Sequence, residues 1–146
     1  MPDNNNLIKF LLKGINTEQF AVIEKNFKEG DEVKISSALK VLANDEIRMI
    51  GVFVKIDFLQ NDKSFIILET AGHFEISEES WPSVYNPETK IVTLPKGFSI
   101  HIAATVIGIA RGYLLAKVEK IPSMRKIFVP LLDATKFIPS DLELTP

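Results

Sequence analysis

Few side chains in this sequence could perform acid–base or metal chemistry, and their spacing matches no catalytic motif. The 146 residues include two histidines and no cysteine, and neither His73 nor His101 stands at a metal-ligand spacing from a second strong ligand. Glu69, His73 and Glu75 fall on one side of a predicted strand, where they could form an acid–base cluster. Alternating polar residues on a solvated sheet face explain them more simply. No nucleophile elbow, phosphate loop or dinucleotide fingerprint occurs, so the sequence predicts a protein that is not an enzyme and uses no metal or cofactor.

Arg111 is a charge set inside a strongly apolar stretch. A guanidinium in such surroundings is unfavourable unless it is paired or reaches water. We therefore expect a carboxylate or backbone carbonyls to hold it, or the side chain to extend from a helix end. A structural ion pair is the favoured interpretation, and a functional contact is the alternative.

The longest apolar stretch, residues 98–118, predicts a helix with two apolar sides. One stripe contains Ile100, Ala103, Ile107, Ala110, Leu114 and Val118, and the opposite stripe contains Ile102, Val106, Ile109, Tyr113 and Ala116. A single sheet can cover only one stripe, so the other requires a second subunit or a bound partner. Insertion into a membrane is not predicted, because Arg111, His101 and two glycines interrupt the run. These glycines, Gly108 and Gly112, indicate the close approach of two backbones instead.

Four predicted strands precede this helix. Residues 7–15 and 20–23 form the first, with an irregularity at 16–18, and the others cover residues 32–42, 46–59 and 64–76. Short turns between them favour an antiparallel meander. Prolines exclude a helix through most of residues 77–97, and residues 133–146 hold one short helix or none. This order predicts the α+β class: a four-stranded antiparallel meander sheet with one long helix packed across it, plus a short C-terminal helix or crossover segment.

The amino-acid composition limits the classes of partner and the cellular location that we expect for this protein. A chain of this length with 46% hydrophobic residues predicts one domain, residues 1–146, with a substantial core. A net charge of −2 and the absence of a basic run with aromatic residues argue against nucleic acid as a partner. Residues 1–6 are polar and lack the layout of a signal peptide, and there is no cysteine for a disulfide, which together predict a cytoplasmic location.

Five short segments carry a family resemblance by their order and spacing. They are Glu-Val-Lys-Ile at 32–35, the acidic break at 43–46, Gly-His-Phe-Glu-Ile at 72–76, Ala-Arg-Gly at 110–112 and the proline-containing apolar segment at 127–133. Over most of its length the chain thereby resembles the SecB family of cytoplasmic export chaperones. It departs from the family pattern where the helix opens with Phe-Ser-Ile-His instead of Phe-Pro-Tyr-Ala-Arg.

The resemblance implies a homotetramer, a dimer of dimers, that holds unfolded polypeptide clients in apolar grooves without ATP or cofactor. It also suggests the preprotein translocase motor as a further partner, although Glu69 lies near, and not at, the carboxylate that the family presents to that motor. Exposed strand edges and apolar groove walls would bind a non-native chain through backbone hydrogen bonds and burial.

Two sets of residues follow as candidates for these surfaces. The candidate walls of a peptide-binding groove are Phe53, Phe74, Ile76, Trp81, Tyr85, Phe98 and Phe128. The candidate oligomer-interface residues are Ile102, Val106, Gly108, Ile109, Gly112 and Tyr113. Filling of the core is the competing explanation for most of the aromatic residues.

Other functions remain open on the same fold. A close variant is a chaperone that protects the antitoxin of a toxin–antitoxin system. A binding module for a fixed protein partner or a small apolar ligand is the second class, and an enzyme using Glu69, His73 or Asp57 is the third.

Overall fold

Four long antiparallel strands form the main sheet of the computed structural model, which describes residues 7–146. They are β1 (Phe10–Val22), β2 (Lys34–Asn44), β3 (Met49–Gln60) and β4 (Lys63–Ile76), in the spatial order β1-β4-β3-β2. The polar start of the chain, on which the signal-peptide prediction depends, lies outside the described residues. Asn61 and Asp62 both have positive φ, 52° and 63°, as the tight hairpin between β3 and β4 requires.

The position of β1 differs from a simple meander. Strands β2 to β4 follow one another as predicted, but β1 pairs with β4 and not with β2. The reason lies in residues 23–33, which form a long connection across the end of the sheet instead of a tight turn. A 3₁₀ turn, Glu24–Asn26, begins this connection, and Asn26 donates a hydrogen bond from Nδ2 to the carbonyl of Ser64 at 3.0 Å.

Strand β1 is irregular at two points, between Leu12 and Gly14 and between Thr17 and Gln19. The second irregularity confirms the predicted break at residues 16–18, whereas the first was not predicted. Strand β2, by contrast, pairs with β3 in unbroken register from Lys34 to Asn44.

The long helix α2 (Lys96–Val118) crosses one face of this sheet, as predicted. The β3 residues that face α2 are almost fully buried: Ile50, Val52, Val54, Ile56 and Phe58. Gly72 on β4 makes room for the helix, because a Cβ atom there would lie 2.8 Å from Cγ2 of Val106.

By length and composition α2 also resembles a membrane-spanning helix. The core helix of a soluble protein has the same properties, and eight residues of α2 are buried in this fold. The absence of membrane insertion stays a prediction.

A smaller sheet lies beside the first. It has the order β5-β6-β7 and consists of β5 (Tyr85–Asn86), β6 (Ile91–Leu94) and β7 (Leu142–Leu144). A short helix, α1 (Trp81–Val84), precedes it. The prediction that prolines exclude a helix through most of residues 77–97 is confirmed, and Pro82 is compatible with this one turn because it occupies the first turn, where its missing N–H is tolerated.

Residues from the end of the chain complete the N-terminus of α2. Its N-cap, Pro95, offers no side-chain acceptor, but Oδ1 of Asp141 accepts a hydrogen bond from the backbone N–H of Lys96 at 2.8 Å. A carboxylate at this position also interacts favourably with the helix dipole. The start of α2 is therefore held by a residue distant in sequence.

The crossover segment, residues 119–133, returns along α2 through a 3₁₀ turn at Pro122–Met124. Met124 and Val129 are buried, and the segment ends at Asp133, whose Oδ1 caps the short helix α3 (Ala134–Phe137) by accepting from the N–H of Thr135. The predicted α+β fold, with one long helix on a four-stranded antiparallel sheet, is confirmed. The extent of a single domain stays a prediction.

Candidate functional site

The titratable residues singled out in the sequence do not come together. His73 shares a 2.8 Å hydrogen bond between Nε2 and Oδ1 of Asn16, and the ring of His101 packs against Phe10. Glu69, His73 and Glu75 follow one another along the solvent-facing side of β4, and no hydrogen bond joins them. Within residues 7–146 no group of three or more histidine and acidic side chains is placed to hold a metal ion.

Arg111 is held by backbone carbonyls, the second of the arrangements expected for it. Its Nε donates to the carbonyl of Val129 at 3.0 Å, and Nη2 donates to the carbonyl of Pro130 at 2.8 Å. The favoured ion pair is not found among residues 7–146. Arg111 therefore ties the crossover segment to the middle of α2, while Phe128 and Leu131 on either side are 65% and 94% exposed.

The predicted groove residues are spread over several surfaces. Phe74 and Ile76 face α2 and are fully buried, so they fill the core and cannot line an open groove. Phe53 lies on the opposite face of the sheet, which we call the open face because no helix of the described part of the chain covers it. The remaining four lie elsewhere: Trp81 stacks on Tyr85, Phe98 packs edge-on against Phe10, and Phe128 projects from the crossover segment.

The predicted interface residues divide into two groups. Ile102 and Val106 are fully buried against the sheet of their own subunit, so they are not available to a second subunit in this structure. Gly108 and Gly112 are exposed on the outer side of α2, with open space beside each of them. Ile109 and Tyr113 are partly buried, and the Tyr113 ring packs edge-on against Phe20 on β1.

Exposed apolar side chains concentrate at the two edges of the main sheet, at positions that were not among the predicted groove residues. Leu11, Leu12 and Ile15 are exposed on β1, and Leu7 is exposed just before it. The other edge has Ile35 and Leu42 on β2 and Ile47 in the turn that follows. Because no strand among residues 7–146 pairs with the outer side of either edge strand, each edge offers backbone hydrogen bonds beside apolar surface.

A cavity of about 320 Å³ opens on the open face beside β2. Its walls include Leu42, Ile47, Met49, Gly51, Phe53 and His73. Leu42 and Ile47 are 50% and 51% exposed, so the cavity has a largely apolar and accessible mouth. Phe53 is the only predicted groove residue in it. One sequence signal could have located this cavity. Ile47 is an apolar residue in a turn, and the two strands that the turn joins have Leu42 and Phe53 on the same face.

Lys40 lies beside this cavity, because its side chain contacts Phe53, one of the cavity walls. Its Nζ lies 4.8 Å from the centre of the Phe53 ring, a cation–π distance. The ion pairs found among the described residues join Lys9 to Glu79 and Arg48 to Glu78, so Lys40 has no carboxylate partner within this part of the chain. The rim of the cavity thus has a positive charge that is available to a ligand.

A second cavity, of about 460 Å³, lies at the opposite end of the sheet. Apolar side chains of Phe27, Val33 and Ile127 line it, with Glu29 on one wall and Arg125 on another. Gln60 is buried there, but its side chain is satisfied: Nε2 donates to the carbonyl of Lys28, and Oε1 accepts from the N–H of the same residue. These opposed charges do not indicate one class of ligand.

The comparisons with known proteins concern the fold. No family model and no curated protein sequence matches the chain. Among solved structures, a SecB-like chaperone of Mycobacterium tuberculosis in complex with a ChAD peptide from the HigA1 antitoxin superposes with a TM-score of 0.52 at 9% identity. The match covers 84% of this chain and 90% of that one. A protein of unknown function from Streptococcus agalactiae gives a TM-score of 0.41 at 11% identity, over 86% of this chain and 99% of that one. The chain therefore has a SecB-like fold.

Proposed function

We propose that this protein is a chaperone that binds non-native polypeptides without ATP and without covalent chemistry. The observation that carries the proposal is the placement of exposed apolar side chains along both unpaired edges of the main sheet. The SecB-like fold, seen in a chaperone solved with a bound peptide, supports the same proposal.

The two kinds of interaction at these edges suit clients of varied sequence. Backbone donors and acceptors on an edge strand recognise any extended chain, because every residue except proline has both groups. Exposed leucine and isoleucine side chains add apolar burial that has no directional requirement. A folded protein offers neither an unpaired extended backbone nor much contiguous apolar surface, so such edges discriminate against folded chains.

We further propose that the protein works as a cytoplasmic homotetramer built as a dimer of dimers. The outer side of α2 supports this part, because Gly108 and Gly112 leave the helix backbone open to close approach and Leu115 beside them is exposed. Close packing of helices is favoured where such small residues lie.

A dedicated chaperone is the second candidate function, and the antitoxin peptide bound to the Mycobacterium tuberculosis neighbour favours it. In that case the same edges would serve one client, an antitoxin, instead of many. Binding of unrelated unfolded chains distinguishes the two functions.

The first test is light scattering coupled to size exclusion, with and without a permanently unfolded client such as reduced, carboxymethylated α-lactalbumin. We expect a tetramer that forms a stable complex with the client and suppresses the aggregation of a second, heat-denatured protein in the absence of nucleotide. A monomer that binds neither client would contradict the proposal. Tight binding of one co-expressed partner, with no effect on either model client, would favour the dedicated chaperone.

A further inference from the structure

We propose that the cavity beside β2 anchors one large apolar side chain of a polypeptide that adds to the free edge of β2 as an extended strand. The proposal rests on the chaperone function above and assigns it a site. It also specifies the client segment: a large apolar residue with an acidic residue two positions away.

The regular geometry of β2 is suited to the addition of a further strand. Its pairing with β3 has no register shift, so its outer edge continues the regular spacing of the sheet. Strand β7 approaches β2 but forms its ladder with β6 alone, and no strand among residues 7–146 pairs with the outer side of β2. The edge at β1 is less suitable, because two irregularities interrupt it and bulges oppose edge pairing.

The cavity lies where a side chain from an added strand would point. Leu42 on β2 and Gly51 on β3 are directly paired, and both face the open side of the sheet. Gly51 lies in the floor of the cavity between the Phe53 and His73 side chains, which pack closely over it: a Cβ atom there would lie 3.1 Å from Cε2 of Phe53 and 3.4 Å from Nδ1 of His73. A volume of about 320 Å³ is at the lower end of the range for small-molecule pockets. That space fits one large side chain and not a helix or a second sheet.

The charge of β2 distinguishes a client from a second copy of this chain. The open-face side chains of β2 include Lys34 and Lys40, and no acidic residue occurs anywhere in the strand. Two copies of β2 would place four lysines on one face without a carboxylate between them, which is unfavourable. An acidic client residue opposite Lys40 would instead gain an ion pair beside the Phe53 ring.

The spacing of the client motif follows from strand geometry. Side chains on one face of a strand recur every second residue. Leu42 borders the cavity and Lys40 lies two residues before it on the same face. A client residue opposite Lys40 is therefore two positions from the residue that enters the cavity.

The test uses the full-length protein and fluorescent peptides built on a Gly/Ser/Thr background, measured by anisotropy. Three peptides carry Phe-Thr-Asp, Ala-Thr-Asp or Phe-Thr-Lys at their centre. We expect the first to bind at least about tenfold more tightly than the second, and several-fold more tightly than the third at low salt. Leu42→Asp should remove the preference for Phe over Ala, and Lys40→Glu should reverse the preference for Asp over Lys.

Leu131→Asp is the control, because Leu131 is 94% exposed but lies on the crossover segment, outside the lining of this cavity. It should leave all three affinities unchanged. Circular dichroism and thermal unfolding establish that each variant is folded. Gly51→Ala, whose methyl group would displace the Phe53 and His73 side chains that line the cavity, provides a second variant and should weaken only the Phe peptides.

The outcomes separate this site from the general function. If the protein holds unfolded α-lactalbumin but Leu42→Asp and Lys40→Glu bind the peptides like the unchanged protein, the site is wrong and the chaperone function stands. If the unchanged protein holds no unfolded client, the chaperone function fails. If Leu42→Asp dissociates an oligomer, the edge of β2 is a subunit interface and the proposal is overturned.

Discussion

The two faces of the main sheet use the same strands for different purposes. Toward α2, strands β3 and β4 present apolar residues that are nearly all fully buried. On the open face the same strands alternate apolar, charged and glycine residues, and a cavity remains between them. A one-residue step along the strand thus separates a closed core from an accessible surface. The comparison shows that stability and proposed binding are assigned to opposite sides of one backbone.

Replacing a phenylalanine by alanine should give the largest difference in stability between the two faces of the sheet. Phe74→Ala should lower the free energy of unfolding by about 3–5 kcal/mol, because the ring is fully buried against α2 and leaves a cavity. Phe53→Ala should lower it by about 1 kcal/mol, since its ring is partly solvated on the open face. Urea unfolding measures both values. Equal losses would contradict the division between a core face and an open face.

Two glycines provide a sharper version of the same comparison. Gly72→Ala should destabilise the protein by about 1–3 kcal/mol, because its new methyl group would meet Val106 at 2.8 Å in a packed core. Gly51→Ala should change stability by less than about 1 kcal/mol, since only the Phe53 and His73 side chains must move slightly. Thermal unfolding of both variants tests this order. A larger loss at Gly51 than at Gly72 would show that the open-face cavity is part of the core.

Arg111 connects the closed side of the molecule to the exposed crossover segment. Arg111→Met removes both hydrogen bonds to the carbonyls of Val129 and Pro130, and we expect a loss of about 1–3 kcal/mol. Amide hydrogen exchange should accelerate mainly in residues 127–132 and not in the sheet. Arg125→Met is the control, because Arg125 makes one exposed hydrogen bond to the carbonyl of Glu119. Similar exchange in both variants would argue against a specific role for Arg111.

The smallest effect concerns the contact between the two sheets. Tyr85 donates a hydrogen bond from its hydroxyl to Oδ2 of Asp45 at 2.9 Å, and this bond raises the pKa of Tyr85 above its ordinary value near 10. Because the pKa is raised on folding, the stabilisation is present below pH 10 and is lost as the pH rises through the raised value. Tyr85→Phe should slightly lower stability at neutral pH and remove this alkaline loss. An unchanged alkaline unfolding profile in the variant would contradict the assignment.

Sequence patterns predicted the closed face well, because burial there follows the period of the backbone. Alternation from Ile50 to Phe58 identified the inner side of β3, and the apolar run after residue 98 identified α2, which begins two residues earlier at Lys96. The pairing of β1 with β4 could not be read from the sequence. Strand β1 could pair with β2 or with β4, and the connection formed by residues 23–33 is long enough for either pairing.

The candidate site was much harder to predict. An aromatic residue is equally compatible with a core and with a groove wall, so Phe74 and Phe53 look alike until the strand register is known. Ile102 and Val106 raise the same problem on α2, because they are buried against the sheet of their own subunit, although the sequence left their stripe for a second subunit. Arg111 donates to backbone carbonyls because residues 129 and 130 of the crossover segment lie beside it. The path of that segment in space cannot be predicted from the local sequence around Arg111.

The carboxylate at the start of α2 has a consequence for protein synthesis. Translation proceeds from the N-terminus, so the strands of the main sheet and all of α2 emerge before Asp141 does. Until that residue arrives, the first turn of α2 lacks its acceptor, and β6 lacks the strand β7 that pairs with Val92 and Leu94. The nascent chain therefore passes through a stage at which an apolar strand edge of its own is exposed.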